Sequence, residues 1–241
     1  MPDQGKMHCN VVVKEEGKRD VFALTVPETI ACRDTLLLNF PETNIQWEDP
    51  DEFGVVKTSW IKEGVIYYDL EITPNYDFVD VKMTIRNLSQ NNWQDVWSFN
   101  CLNPVRAEDY KDSLMHRTYM STTDGPKLLS ETERRIGRVK TIGLYFNEGI
   151  SDPNHYAFTK EFDAISPDRT NGNYLVTLSQ EKDSYMAATS QDALFLFNNL
   201  KFKCIHSAPN FGDISPNESK TVNCRFYFAK GNLNDFLNRI E

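Results

Sequence analysis

The stretch NNLKFKCIHSAPNFGDISPNESKTVNCRFYFAKGNLNDFLNRIE, residues 198–241, contains the patterns that decide the fold. In TVNCRFYF, the apolar residues Val222, Cys224, Phe226 and Phe228 alternate with Thr, Asn, Arg and Tyr, which is typical of a half-buried strand. The same alternation in LKFKCIH predicts a second strand over 200–206. The connector between them is rich in Pro, Gly, Asn and Ser, which predicts a loop with a turn at 216–217.

The last residues of this stretch change from strand to helix periodicity. Leu233, Phe236, Leu237 and Ile240 have helical spacing, and Asn232 or Asn234 could cap the start of the helix. We therefore predict that the chain closes with a short helix packed on a sheet.

Strand patterns continue through most of the rest of the chain. FVDVKMTIRN (78–87) alternates strictly, residues 55–61 and 64–73 suggest a hairpin, and residues 8–15 and 20–26 suggest a second strand pair. ALFLFNN (193–199) is continuously apolar, which is typical of a central strand buried on both faces. WQDVWSFNCL (93–102) would place Trp93, Asp95, Trp97, Phe99 and Cys101 on one face.

These patterns predict an all-β fold, a large antiparallel two-sheet sandwich of the supersandwich type with a short C-terminal helix. No repeat or low-complexity linker divides the 241 residues, so we predict a single domain over 1–241. Residues 104–138 are highly charged and weakly periodic, which predicts an irregular excursion with short helical turns. Excursions of this length are usually functional or partly disordered.

Composition and charge exclude several classes of partner. The formal net charge is −9, and no concentrated Lys/Arg surface is visible, which argues against nucleic acid and anionic membranes as partners. No apolar run is long enough for a membrane helix. The N-terminal residues lack an apolar signal core, which favours a cytoplasmic location. The five cysteines form no CxxC pair, so we expect free, buried thiols.

Three segments carry a resemblance to known proteins. FVDVKMTIRNLSQNNWQDVWSFNCLNP (78–104), the loop with Tyr110-Lys111-Asp112, and CIHSAPNFGDISPNESKTVNCRFYF (204–228) together resemble a group of uncharacterised bacterial β-sandwich proteins. Those proteins are similar to the galactose mutarotase-like, carbohydrate-active group. Their closing turn usually reads Pro-Gly-Glu, whereas this chain has Pro216-Asn217-Glu218. The resemblance implies the two-sheet fold and a carbohydrate ligand, and it supplies no mechanism.

Histidine is the first candidate for catalysis because its unperturbed pKa lies near neutrality. His206 stands at the apolar end of a predicted strand, and His116 lies in the irregular excursion. If the excursion folds over that strand end, both histidines would share a cleft with Asp112, Arg117 and Tyr119 and could transfer protons on a sugar. The alternatives are a hydrogen-bonded boundary role for His206 and simple exposure for His116. His8 and His155 are interpreted as incidental and exposed.

Sugar binding needs aromatic rings beside amide or carboxylate groups. The predicted ligand-binding residues are Asp112, Arg117, Tyr119, Tyr110, Trp97 and Asn198, although Trp97 shares a face with Phe99 and is more typical of a core residue. Cys204, His206 and Asp213 match no structural zinc spacing, so we predict no metal. The chain also lacks a phosphate-binding glycine loop, GxSxG and HExxH, and we predict no cofactor.

Three functional hypotheses remain open. The first is a carbohydrate-binding or carbohydrate-associated sandwich without turnover. The second is a mutarotase-like epimerase or polysaccharide lyase that uses His206 and His116. The third is a non-catalytic interaction module that docks a partner on residues 104–138. The sequence leaves turnover, the identity of the sugar and the oligomeric state undecided.

Overall fold

A computed structural model describes residues 10–14, 20–39, 45–134, 141–162 and 164–240. The strands are β1 (Asn10–Lys14), β2 (Val21–Ala31), β3 (Leu36–Asn39), β4 (Val56–Lys62), β5 (Ile66–Pro74), β6 (Phe78–Asn87), β7 (Trp93–Asn103), β8 (Thr118–Thr122), β9 (Gly125–Leu128), β10 (Ile142–Phe146), β11 (Tyr174–Leu178), β12 (Ser184–Ser190), β13 (Phe195–Asn199), β14 (Cys204–Ser207), β15 (Asn210–Ile214) and β16 (Ser219–Lys230). The helices are α1 (Ala157–Phe162) and α2 (Leu233–Ile240).

The strands form two antiparallel sheets of eight strands each. The first sheet has the order β1-β2-β7-β14-β13-β10, with β3 beside β2 and β15 beside β7. The second sheet has the order β4-β5-β6-β16-β12-β11-β8-β9. This arrangement confirms the predicted all-β two-sheet sandwich with a short C-terminal helix. The single-domain organisation stays a prediction.

Three apolar layers hold the sheets in place. The largest lies between the sheets and includes Leu24, Leu102 and Ile205 from the first sheet with Met83 and Phe226 from the second. A second layer covers the outer face of the first sheet, where Phe158 of α1 packs on Trp97, Phe99 and Phe195. A third layer lies on the outer face of the second sheet, under α2. Because successive side chains of a strand point to opposite faces, each sheet contributes side chains to the core between the sheets and to a second core on its outer face.

The strictly alternating strands fold as predicted. Val79, Val81, Met83 and Ile85 of β6 are buried, and β16 places Cys224 and Phe226 between the sheets. In β13, Leu196 faces the other sheet while Phe195 and Phe197 face outward, so both faces of this strand are buried as predicted. The predicted pairing of the first two strands is confirmed for β1 and β2, whereas His8, Cys9 and Glu15 lie outside the described residues.

The predicted strand over 200–206 is wrong in its first half. Residues 200–203 form the turn of a hairpin between β13 and β14, Lys203 has a φ of 59°, and Phe202 is 53% exposed. The lysine–apolar alternation there reflects a turn with one exposed ring. The connector after His206 also differs from prediction, because β15 forms within it and pairs with β7.

The prediction that alternate side chains of residues 93–102 share one face of the sheet is correct only in part. Trp97 and Phe99 face outward, but Trp93 packs between the sheets. Asp95 has a φ of 48°, and the pairing with β15 changes register beside it, so the alternation of side chains is reset within the strand. A single irregular residue therefore moves Trp93 to the opposite face.

The described part of the excursion, residues 104–134, is partly regular. Short 3₁₀ helices occupy Glu108–Tyr110 and Leu129–Glu131, close to the predicted helical turns. Between them, β8 and β9 form a hairpin at the edge of the second sheet, which the sequence patterns did not indicate.

The C-terminal helix forms as predicted. Asn232 is the cap, since its Oδ1 accepts hydrogen bonds from the backbone N–H groups of Asn234 and Asp235. Phe236 is fully buried against Tyr174, Tyr185 and Tyr227. Neither this helix nor any other in the described residues is long and apolar enough to cross a membrane.

Candidate functional site

The ring of His206 is enclosed on the outer face of the first sheet. Its side chain is 3% exposed and stacks on Phe99, with ring centroids 4.4 Å apart and planes 8° from parallel. Phe197 closes a second side through an edge contact at 4.8 Å. His206 is therefore buried at the margin of the outer aromatic layer, one residue before the end of β14 at Ser207.

A thiol–imidazole–carboxylate cluster surrounds this ring. His206 Nε2 lies 3.8 Å from Cys204 Sγ and 3.3 Å from Glu28 Oε2. One ligand atom each from Cys101, Cys204 and His206 lies within 4.8 Å of the others, and all three residues are buried. We call these residues and Glu28 the thiol–imidazole cluster. The period of two explains one part of it, because Cys204 and His206 must share a face of β14.

Cys204 and His206 shift each other's pKa in opposite directions. The hydrogen bond from the Cys101 thiol and the nearby imidazole lower the pKa of Cys204 despite its burial. The same hydrogen bond, together with burial, raises the pKa of Cys101. Burial lowers the pKa of His206, but Cys204 and Glu28 outweigh this effect and raise it. At neutral pH, these shifts favour a thiolate on Cys204 beside an imidazolium on His206.

Asp112 and its neighbours shape the loop before β8. Asp112 Oδ2 accepts hydrogen bonds from the Arg117 N–H at 2.8 Å and from Thr118 Oγ1 at 2.9 Å, and Oδ1 accepts from the His116 N–H at 3.2 Å. The guanidinium of Arg117 donates to the backbone carbonyls of Asp109, Lys111 and Leu178. These polar groups are used within the loop, and the side chain of His116 is exposed.

A small polar cavity lies between the sheets next to this loop. Asp112, Tyr110, Thr118, Thr177 and Asn198 are among its lining residues, and its volume is about 10 Å³. The amide oxygen of Asn198 is buried without a hydrogen-bond partner among the described residues. A cavity of this size holds about one water molecule and is too small for a sugar.

The predicted site residues therefore lie in different layers. His206 and Trp97 belong to the outer face of the first sheet, Asp112, Tyr110 and Asn198 lie between the sheets, and Tyr119 packs in the layer beside α2. Trp97 is 1% exposed and packs on Phe158 and Phe195 at 4.9 and 5.0 Å. Among the described residues, the contacts of the His206 ring come from β2, β7, β13 and β14 and none from 112–119. Catalysis by the two histidines in one cleft stays a prediction.

A larger cleft lies elsewhere, between β1 and β2 of the first sheet and β4, β5, β6, β12 and β16 of the second. Its volume is about 640 Å³, within the usual range for small-molecule sites. We call it the inter-sheet cleft. Its aliphatic surface comes from Val11, Val13, Val56, Ile72 and Val79, and its aromatic surface from Phe22, Tyr76, Phe78, Tyr110 and Phe228.

Polar groups and one exposed ring line the same cleft. Tyr76, in the turn between β5 and β6, is 98% exposed. Phe228 of β16 is half-buried beside the same turn, where its backbone N–H donates a hydrogen bond to the carbonyl of Asp77 at 2.7 Å. Asp20, Asn75, Asp77, Ser184 and Lys230 supply polar side chains. The carboxylate of Asp77 is already held by Arg239 of α2 through two hydrogen bonds of 2.6 Å. Ser184 Oγ and Lys230 Nζ contact the carboxylate of Asp183 at 3.1 and 3.5 Å, and Asn75 Nδ2 lies 3.5 Å from the carbonyl of Thr73. These hydroxyl, ammonium and amide groups and the carboxylate of Asp20 are the further polar contacts that the cleft can offer.

Sequence reasoning identified Tyr110 from this cleft and missed the other residues. The lining comes from seven strands, β1, β2, β4, β5, β6, β12 and β16, which span most of the chain, and no local pattern marks them as neighbours. For the thiol–imidazole cluster, the spacing Cys204-Ile-His206 was a usable signal. Cys101 and Glu28 were missed because they enter from β7 and β2.

Comparison with known proteins agrees with the resemblance in the sequence. No protein-family model and no curated protein matches the chain. Solved structures do match: a galactose mutarotase-related enzyme from Lactobacillus acidophilus (9% identity, 79% of this chain, 73% of that chain, TM-score 0.45) and a galactose mutarotase-like protein from Lactobacillus casei (10%, 77%, 73%, 0.45). A galactose mutarotase-like protein from Clostridium acetobutylicum matches with 11% identity over 92% of this chain and 67% of that chain, with a TM-score of 0.41. The names of these structures are those of the group suspected from the sequence, and neither a family nor an activity follows from so distant a similarity.

Proposed function

We propose that this protein binds a carbohydrate in the inter-sheet cleft. One observation carries the proposal, namely a cleft of about 640 Å³ in which aromatic rings stand beside amide, hydroxyl and charged groups. Sugars present apolar faces that pack on aromatic rings and hydroxyls that need hydrogen-bond partners. The resemblance of the sequence to the carbohydrate-active group implies the same class of ligand.

The exposed ring of Tyr76 and the half-buried ring of Phe228 provide two stacking surfaces in this cleft. Asn75 and Lys230 are exposed at the cleft, and Asp20 is half-buried, so all three can reach ligand hydroxyls from the rim. Ser184 is buried and offers a hydroxyl deeper in the lining. This distribution supports one sugar or a short oligosaccharide with its apolar face turned toward the aromatic wall.

The aliphatic part of the lining favours a second candidate function. Val11, Val13, Val56, Ile72 and Val79 offer no hydrogen-bonding side chains, and such a surface suits an apolar or amphipathic small molecule. A glycoside with an apolar group would use both parts of the cleft. Binding of an apolar probe without binding of any sugar would favour this second candidate.

The contacts support the enzyme and docking hypotheses less well than they support ligand binding in the inter-sheet cleft. Proton transfer needs a titratable group within reach of the ligand, and His206 is buried in the outer layer of the first sheet. A docking role for residues 104–138 would use exposed apolar residues such as Val105 and Leu114, which are 46% and 67% exposed. In the described residues, neither hypothesis is accompanied by a ligand-sized cavity at the side chains it would use.

The test is a glycan-array screen followed by calorimetric titration of the best ligand with the wild type and two variants. Tyr76→Ala removes a fully exposed ring and should leave the melting temperature unchanged while weakening sugar binding by about fivefold or more. Phe228→Ala should weaken it at least as much, because it removes the second stacking surface.

Phe202→Ala is the matched control, since Phe202 is an exposed ring on the β13–β14 turn and does not line the cleft. Its sugar affinity should equal that of the wild type. Sugar binding that survives both cleft variants, or that only Phe202→Ala abolishes, would place the ligand elsewhere and overturn the proposal.

A further inference from the structure

The thiol–imidazole cluster has the donor set and the geometry of a transition-metal site. We propose that Cys101, Cys204, His206 and Glu28 bind one Zn²⁺ ion on the outer face of the first sheet. The site lies away from the inter-sheet cleft and does not depend on sugar binding. The ligands are two thiolates, one imidazole and one carboxylate, all of which zinc accepts in proteins.

The distances fit a tetrahedral ion. Zinc–sulfur bonds of about 2.3 Å and zinc–nitrogen bonds of about 2.0–2.1 Å place neighbouring S and N ligands about 3.6 Å apart, and N and O ligands about 3.4 Å apart. The corresponding separations here are 3.8 Å from Cys204 Sγ to His206 Nε2 and 3.3 Å from His206 Nε2 to Glu28 Oε2. Cys101, Cys204 and His206 each offer one ligand atom within 4.8 Å of the other two, and Glu28 joins this group of three through its contact with His206 Nε2. His206 Nε2 therefore faces both neighbours as a shared ligand atom would.

The surroundings of Glu28 point to the same conclusion. Its Oε2 is a buried carboxylate oxygen that meets no hydrogen-bond geometry among the described residues, and it lies 3.3 Å from His206 Nε2. A protonated imidazole balances the charge of this oxygen, and a bound cation would satisfy it by direct coordination. The cation would also replace the thiol–thiol hydrogen bond between Cys101 and Cys204 with two metal bonds.

The backbone holds the four ligands on three neighbouring strands. Cys101 on β7 pairs with Thr25 of β2 on one side and with His206 of β14 on the other. Between Thr25 and Thr29 the pairing of β2 with β7 shifts register, and this irregularity contains Pro27, which has no N–H to donate, and Glu28. The bulge frees Glu28 from the ladder and brings its carboxylate to the cluster.

The path of the ion to the site follows from exposure. The two cysteines and His206 are buried, but the side chain of Glu28 is 37% exposed. A small rotation of this side chain can admit an ion and then close the fourth position. With all four positions filled by protein, the ion is structural, and it ties β2, β7 and β14 together.

The sequence spacing grouped Asp213 with Cys204 and His206, but Asp213 is not a ligand of the proposed site. Its Oδ1 accepts a hydrogen bond from the Asp95 N–H at 2.9 Å. The structure supplies Cys101 and Glu28 in its place, from strands about 100 and 180 residues away in the sequence. Zinc spacing rules describe ligands on one loop or knuckle, so they do not detect ligands assembled across a sheet.

The test titrates the full chain, reduced and treated with a chelator, with Zn²⁺ alone in competition with a chromophoric chelator. We expect one Zn²⁺ per chain and a higher melting temperature in its presence. Co²⁺ in place of Zn²⁺ should give the charge-transfer absorption of thiolate ligands. Cys204→Ser should abolish both signals. Glu28→Gln removes a direct ligand and should weaken Zn²⁺ binding at least as much as the loss of an outer-shell partner does, about 10–100-fold.

Cys224→Ser is the matched control, because Cys224 is also a buried thiol but lies between the sheets, where Asn100 donates a hydrogen bond to it. It should bind Zn²⁺ like the wild type. Glu28→Gln keeps the size of a partly exposed side chain, so its result does not depend on the folding of the cysteine variants. Absence of Zn²⁺ binding by the wild type, or equal binding by Cys204→Ser, would overturn the proposal.

Discussion

An active site normally combines space for a ligand with reactive side chains. In this protein, the inter-sheet cleft has the space, whereas the outer face of the first sheet carries the thiol–imidazole cluster. The cleft has about 640 Å³ of space, and the one carboxylate in it with a strong ion pair, Asp77, is held by Arg239. The outer face has a thiol, an imidazole and a carboxylate in contact, but its space is filled by aromatic rings. Catalysis needs reactive groups within reach of a bound substrate. The thiol–imidazole cluster is therefore separated from a ligand in the inter-sheet cleft, where Asp20, Asp77 and Lys230 supply the charged side chains.

The difference arises from what covers each face. α1 and the preceding segment place Phe158 and Tyr156 on the outer face of the first sheet, where Phe158 contacts Trp97, Phe99 and Phe195. At the cleft, the two sheets meet through short aliphatic side chains and a few rings, and these leave space between them. A face filled by large rings becomes a core, whereas a face lined by valines can keep a cavity.

The largest effect is expected where the outer face is most tightly filled. Trp97→Ala should lower the free energy of unfolding by about 3–5 kcal/mol, because it removes a fully buried indole and leaves a cavity among Phe99, Phe158 and Phe195. Urea denaturation measures this loss. Phe228→Ala, at the half-buried wall of the cleft, should cost clearly less. Equal losses in the two variants would remove the contrast between a filled face and an open one.

The sequence predicts those parts of this contrast that depend on neighbouring residues in one strand, and not those that depend on contacts between distant strands. Alternation fixed the buried sides of β6 and β16 correctly, because a strand with a strict period of two has only two faces. It could not say whether the buried side of β14 faces the other sheet or α1. His206 was thus recognised as a residue on an apolar face, while its neighbours Phe99 and Glu28 were not.

Irregular backbone accounts for most of the rest. A positive φ at Asp95 reverses the face of Trp93, and the bulge in β2 brings Glu28 to the thiol–imidazole cluster. Neither irregularity has a composition signal as strong as a glycine turn. The cleft was missed for another reason, since its space depends on the relative position of two sheets and not on any strand alone.

The next effect tests whether Asp112 shapes a loop or binds a ligand. Asp112→Ala leaves the N–H of Arg117 and the hydroxyl of Thr118 without their acceptor, and we expect it to destabilise the protein by about 2 kcal/mol. Because Asp112 does not line the inter-sheet cleft, affinity for a cleft ligand should not change. Thermal unfolding and calorimetric titration of the same samples separate the two effects.

Asp112→Asn serves as the control for this variant. It keeps one acceptor oxygen at the same place, so it should lose less stability than Asp112→Ala. A variant with native stability and lost sugar binding would show that the ligand contacts the loop around Asp112 and not the inter-sheet cleft, and the proposed division between the two regions would fail.

The smallest effect concerns Asp77, which belongs to the cleft lining and also anchors α2. The hydrogen bonds and charge of Arg239 lower the pKa of Asp77 in the folded state, against a smaller opposing effect of burial. A carboxyl with a lowered folded pKa stabilises the protein above its unfolded pKa of about 3.9, and this contribution disappears as the pH falls through the folded pKa. Because both side chains are partly exposed, at 22% and 32%, the pair should contribute no more than about 1 kcal/mol.

Urea midpoints of the wild type and Asp77→Asn should therefore differ at pH 7 and converge as the pH falls through the folded pKa of Asp77. Arg239→Gln should give the same pH profile, because it removes the other half of the same pair. If the carboxylate of Asp77 were instead the main sugar ligand, Asp77→Asn would weaken sugar binding while Arg239→Gln would leave Asp77 free and binding would be retained or strengthened. The two substitutions thus separate the anchoring of α2 from ligand recognition at the point where the cleft meets the outer face of the second sheet.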